Sequence, residues 1–190
     1  MLSETFTKTA VGTEFQVNTY IDSYQTTPSV TSLSDGGWVV TWQSSEQDLS
    51  GYGIYGQRYG ANGQAVAAEF QVNTYTYHSP SDASVTSLSD GGWIVTWQSF
   101  GQDGSSYGIY GQRYGSDGEA VGTEFQGNTY TNNWQATSSV TSLSDGGWVV
   151  TWASNGQDGS LSGIYGQRYD ADGNATVSVV RVFRTSRAVL

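Results

Sequence analysis

The sequence repeats itself with a period of 55 residues, and no other feature restricts its fold as tightly. PSVTSLSDGGWVVTWQS at 28–44 returns as ASVTSLSDGGWIVTWQS at 83–99 and SSVTSLSDGGWVVTWAS at 138–154. Trp38, Trp93 and Trp148 keep that spacing; so do Ile54, Ile109 and Ile164, and Phe15, Phe70 and Phe125. Units 11–65, 66–120 and 121–175 align without insertion, and 33 of the 55 positions are identical in all three. A fixed period of this size means stacked copies of one supersecondary unit, none of which buries its apolar face alone. Residues 1–10 form an N-terminal extension, and 176–190 a C-terminal strand or tail, outside the repeat.

Each unit reads as four strands. In the first copy they are Ser29 to Leu33, Trp38 to Trp42, Ile54 to Tyr59 and Val66 to Val72. These runs are rich in β-branched and aromatic residues. The turns between them carry Asp-Gly and Asn-Gly pairs, which favour the positive φ of tight hairpins. No window shows a capped helical period. The fold class is therefore all-β, with three four-stranded antiparallel meanders. On the second strand Trp38, Val40 and Trp42 face one way, and Val39 and Thr41 the other. Both faces carry apolar groups, where a half-wet sheet would alternate apolar with polar. Sheets stacked on both sides, like the blades of a β-propeller, explain this. A β-trefoil or β-prism also uses three units and is the alternative.

The ends do not match. VGTEFQV at 11–17 copies the fourth strand, whereas TVSVVRVF at 176–183 replaces it after the third unit. Each third strand carries an Arg (Arg58, Arg113, Arg168) and each fourth strand a Glu (Glu14, Glu69, Glu124). If Arg58 meets Glu69 and Arg113 meets Glu124, Arg168 faces Val179 and lacks a partner unless Glu14 supplies one. The expectation is self-association through the terminal strands, into an oligomer or filament. Glu14, Phe15, Val17, Arg168, Val177 and Val179 are the assembly candidates. An incomplete sheet edge supplies the drive, since its unpaired backbone templates another strand.

Composition narrows the function. The net charge is −10, with one Lys and six Arg, three of them in the last ten residues. That argues against binding nucleic acid through phosphates. Seven Trp and thirteen Tyr provide enough apolar area for a core. Cysteine is absent, which excludes disulfides and thiolate metal sites. No apolar run reaches the ~20 residues of a membrane helix. The start, Met-Leu-Ser-Glu-Thr, lacks the basic and apolar regions of a cleavable secretory signal.

Over 11–175, the motifs GGWVVTWQS, QDGS, GIYGQRY and EFQVNTY resemble a tandem repeat of large secreted bacterial surface proteins of the RTX, calcium-binding or adhesin-like kind. The resemblance implies an extracellular or cell-surface module, exported without a cleavable N-terminal signal. It does not carry calcium with it. The G-G-x-G-x-D nonapeptide is absent, because Gly36-Gly37-Trp38-Val39 breaks it at the fourth position. Asp170-Ala171-Asp172-Gly173-Asn174 imitates the start of a calcium loop but lacks the distal bidentate Glu, so it reads as a hairpin turn. No cofactor is implied and no metal site is expected.

His78 stands alone in a loop, and no paired carboxylates or Ser-His-Asp arrangement recurs in more than one unit. This argues against an enzyme. Variation concentrates in the loops from the second to the third strand and from the fourth to the first, which a meander places at one end. There Tyr20, Tyr24, Asp48, Tyr75, Tyr77, Asp103, Trp134 and Asp158 are the ligand-binding candidates, since aromatic faces beside carboxylates suit sugar rings. The chain thus reads first as a structural or adhesive self-associating module. The alternative is a carbohydrate-binding lectin using the variable loop end.

Overall fold

The computed structural model describes residues 12–176. Those residues contain twelve strands and no helix. The first sheet holds β1 (Gln25–Ser32), β2 (Trp38–Ser45), β3 (Tyr52–Tyr59) and β4 (Ala65–Gln71). The second holds β5 (Ser81–Ser87), β6 (Trp93–Phe100), β7 (Tyr107–Tyr114) and β8 (Ala120–Gln126). The third holds β9 (Gln135–Ser142), β10 (Trp148–Asn155), β11 (Ser162–Tyr169) and β12 (Ala175–Thr176). Every sheet is an antiparallel meander in chain order. Each sheet closes on its own four consecutive strands, so the structural blade begins one strand later than the sequence unit. The sheets stack like propeller blades, with β1, β5 and β9 adjacent. Side-chain hydroxyls stitch these strands together: Ser29 Oγ accepts from Val85 N at 3.2 Å, and Ser84 Oγ from Val140 N at 3.3 Å.

The SDGG turns show why the sequence is invariant there. The Asp90 carboxylate accepts the Gly92 amide at 2.9 Å, closing the turn on itself. Gly91 has φ +87°, which glycine adopts without strain. A Cβ on Gly92 would lie 2.2 Å from the Tyr114 carbonyl oxygen, so the turn rests directly on the end of β7.

Two hydrophobic clusters lie between blades. One joins Val39 and Ile54 of the first blade to Val85, Trp93, Val95 and Trp97 of the second. The other joins Ile94 and Ile109 of the second to Val140, Trp148, Val150 and Trp152 of the third. Among the described residues, only the middle blade is covered on both faces. β6 is buried along nearly its whole length, whereas β10 alternates between buried and more open positions. Ile54 and Ile109 are 0% exposed, but Ile164, at the same place in the third blade, is 80% exposed. Val85 and Val140 are each 7% exposed, but Val30 in the first blade is 64% exposed. Among the described residues, the three blades therefore do not close into a ring on themselves.

Three sequence expectations are corrected. The first strand of each blade starts earlier than its β-branched run: β1 opens at Gln25, and its register to β2 shifts between Thr26 and Ser29. Thr27 with φ 50°, followed by Pro28, forms that irregularity and disguises the strand in the sequence. Second, residues 13–18 pair with no strand among the described residues, although they copy β4. Third, the arginines do not meet the fourth-strand glutamates. Arg58 pairs with Asp35 at 2.8 Å, Arg113 with Asp90 at 2.6 Å, and Arg168 with Asp145. The turn carboxylate reaches the guanidinium first, because β2 and β3 pair Val39 directly with Arg58 beside that turn. Arg168 thus has its partner in its own blade, while Val177 and Val179 lie outside the described residues.

Candidate functional site

The fourth-strand glutamates brace the connectors instead. Glu69 accepts from the Thr19 amide (2.7 Å) and hydroxyl (2.9 Å) through one oxygen and from Gln47 Nε2 (2.5 Å) through the other. Glu124 repeats this with Thr74 and Gln102. The next connector residue is a tyrosine, and the nearby carboxylates act on the third strand. Burial, then Asp48 and Glu69, push the Tyr55 phenol up to about 12. Burial, then Asp103 and Glu124, raise Tyr110 in the same way.

The variable loop end keeps its carboxylates occupied. Asp48 accepts from Ser50 N at 3.1 Å and from Gln71 Nε2 at 2.9 Å. Asp103 accepts from Ser105 N and Gln126 Nε2, and Asp158 from Ser160 N. Tyr24 and Tyr77 are exposed, Tyr20 and Tyr75 half-buried, and the Tyr75 and Tyr77 rings stand 6.2 Å apart. Trp134 is half-buried, and its carbonyl accepts from Asn155 N at 3.0 Å. These residues share one end of the molecule but come from three separate connectors and three separate loops.

Concave surface lies between the blades. A cleft of about 390 Å³ separates the first and second blades, lined by Arg58, Phe70, Trp93, Gln112, Tyr114 and Asp117 among others. A second cleft, about 220 Å³, separates the second and third; Arg113, Phe125, Trp148 and Asp172 line it. Each is built by the same stack across a blade boundary. The Arg58 guanidinium sits 5.7 Å from the Trp93 ring centroid, and Trp93 stacks on Tyr114 at 5.3 Å and 12°. Phe70 leans on Tyr114 at 5.4 Å. In the second cleft Arg113 lies 5.5 Å from Trp148, Trp148 stacks on Tyr169, and Phe125 leans on Tyr169 at 5.4 Å. Phe70 pairs with Gly56 across the sheet, and Phe125 with Gly111. Each glycine is a bed for its ring, since a Cβ would come 2.8 Å and 2.6 Å from the respective phenyl.

Both clefts have donors without a protein acceptor. Arg58 Nε and Trp93 Nε1 are buried and unpaired, as are Arg113 Nε and Trp148 Nε1. The indoles of Trp42, Trp97 and Trp152 are also unpaired, but they line neither cleft. Buried donors ordinarily find partners, and the same pair goes without one beside both clefts. Sequence reasoning missed this site. Its stack of Arg, Trp, Tyr and Phe is the same in every unit, whereas the ligand-binding candidates were sought in the loops that vary.

No protein-family model and no curated protein matches the chain. Among solved structures it is similar to a protein of unknown function from Dyadobacter fermentans, at TM-score 0.61 and 11% identity, covering 83% of this chain and 54% of that one. It is also similar to an endo-arabinase from Bacteroides thetaiotaomicron, at TM-score 0.52 and 14% identity, covering 80% of this chain and 61% of that one. The chain thus spans little more than half the length of either. At such identity the likeness shows a shared all-β, propeller-like arrangement of blades.

Proposed function

We propose that the chain is a glycan-binding module and that its binding positions are the two clefts between consecutive blades. The observation that carries this reading is the recurrence of one constellation at both boundaries: a phenylalanine, a stacked indole and an arginine, with two buried donors lacking acceptors. Sugar rings present apolar C–H faces that pack on aromatic walls, and hydroxyls that accept from indole and guanidinium N–H groups. The fold likeness to the endo-arabinase from Bacteroides thetaiotaomicron is in keeping with a carbohydrate ligand. Binding is the reading common to both clefts, because glycoside cleavage ordinarily uses a pair of carboxylates and the two clefts do not share one. Asp117 recurs as Asp172, but Glu119 in the first cleft becomes Asn174 at the second boundary. The extracellular or surface setting belongs to the same proposal.

The test is a glycan array, followed by calorimetric titration with the strongest saccharide. Wild type should bind it at up to two sites per chain. Arg58→Ala and Arg113→Ala should each remove one site, and the double variant both. No binding above background on the array, or full binding by the double variant, overturns the proposal.

A further inference from the structure

The two outer faces of the three-blade array are the two halves of an interface the molecule already makes twice. On the third blade, Ile164 is bare where Ile54 and Ile109 are covered, and Thr151 is exposed where Thr41 and Thr96 are buried. On the first blade, Val30 is bare where Val85 and Val140 are covered. Val17, Thr26, Pro28, Val40 and Trp42 line a groove of about 180 Å³ on that face.

The connector preceding β1 completes the correspondence. Phe15 packs edge-on against Tyr59 at 5.6 Å, as Phe70 packs on Tyr114 and Phe125 on Tyr169. Residues 12–18 thus occupy the seat of a preceding blade's fourth strand, and Phe15 is still 60% exposed. Inside the chain such a ring lies on the glycine of the blade before it. Gly166 of the third blade has no aromatic ring over it among the described residues. Likewise, Asn73 Oδ1 accepts the Ile54 amide and Asn128 Oδ1 the Ile109 amide, both at 2.7 Å. Asn18 holds the same place, with its Nδ2 on Tyr20 O and Gln25 Oε1 and its Oδ1 without a partner among the described residues.

We infer that the third blade of one copy docks head-to-tail on the first blade of a second copy. Ile164 and Thr151 enter the groove beside Val30 and Val40; beyond Thr176, where β12 ends, Phe15 of the second copy covers Gly166 and its Asn18 receives the Ile164 amide. The occupant is a second copy because all these groups already serve this purpose within one chain, in the same register. Two copies bring six blades, within the range of about four to eight in closed propellers. The contact is heterologous: each copy offers two different faces. This inference does not depend on what the clefts bind.

The experiment is light scattering behind a sizing column across a dilution series, with Val30→Asp and Ile164→Asp. Both positions are exposed in the single chain, so both variants keep the fold, checked by circular dichroism. Wild type should run as two chains or a larger multiple, and each variant as one chain. Mixing the variants should restore a one-to-one pair, since the unaltered third blade of Val30→Asp meets the unaltered first blade of Ile164→Asp. Wild type running as a single chain at every concentration overturns the inference. So does assembly that survives either substitution, or a mixture that stays monomeric.

Discussion

Ile54, Ile109 and Ile164 are one residue at one place in three copies of the repeat, differing in whether a following blade covers them. Replacing Ile109 by Ala removes three carbons from a fully buried site. At about 0.8 kcal/mol per buried CH₂ the transfer part is about 2.4 kcal/mol. The cavity left in the cluster with Trp148, Val150 and Trp152 adds to this, so the total falls at about 2–5 kcal/mol. Ile54→Ala should cost about as much, because Val85, Trp93, Val95 and Trp97 share its cluster as Val140, Trp148, Val150 and Trp152 share that of Ile109. Ile164 keeps only a fifth of its surface buried, so the same change there should cost about 0.5 kcal/mol in a single chain. The assay is urea denaturation followed by tryptophan fluorescence, at a concentration low enough that chains do not associate. A shift in midpoint with constant slope isolates stability. If Ile164→Ala costs as much as Ile109→Ala in the dilute chain, the third blade is covered from within and the open stack of three blades is wrong.

Gly92→Ala should destabilise by more than about 3 kcal/mol or abolish folding, because the added Cβ meets the Tyr114 carbonyl at 2.2 Å; a melting temperature near wild type refutes this. Glu124→Gln removes the charged acceptor of the Thr74 amide and hydroxyl and of Gln102 Nε2. It should cost about 1–2 kcal/mol by thermal melting and raise amide exchange at Thr74. Stability should also fall at both pH extremes. The Gly37 amide and Arg58 hold the Asp35 carboxyl below its ordinary 3.8, so its contribution is complete above that value and is lost as pH drops beneath it. Tyr55 and Tyr169 are pushed up from 10.0 to about 12, chiefly by burial. Their neutral forms favour the folded state fully below pH 10.0, and that contribution disappears as pH climbs toward 12. Tyrosinate absorbance rising in step with unfolding over that interval is the expected result; a titration at ordinary pKa with the fold intact refutes it.

Much of the architecture was legible. The strict period, the Asp-Gly and Asn-Gly turns, and the apolar groups on both faces of Trp38 to Trp42 specified four-stranded blades stacked on each other. The early start of β1 was not legible, because Thr26, Thr27 and Pro28 have no alternation and the strand bends there. The arginine partners were misassigned because matching charges along the chain ignores that a hairpin turn brings Asp35 over its own third strand. The likeness of VGTEFQV at 11–17 to the fourth strand was legible, though how residues 12–18 are seated required the structure. The clefts were hidden for a different reason. Arg58 and Phe70 belong to one blade and Trp93 and Tyr114 to the next, and nothing within a single repeat reveals that they meet.

The chain has seven indole N–H groups, which makes one measurement decisive for where a glycan sits. Their NMR resonances, assigned by single substitution, should be followed while the strongest saccharide from the array is added. We expect the Nε1–H signals of Trp93 and Trp148 to move together and to exchange more slowly with solvent, while Trp38, Trp42, Trp97, Trp134 and Trp152 stay in place. Movement of Trp134 with Trp93 and Trp148 unchanged would put the ligand at the variable loop end and contradict a site between the blades.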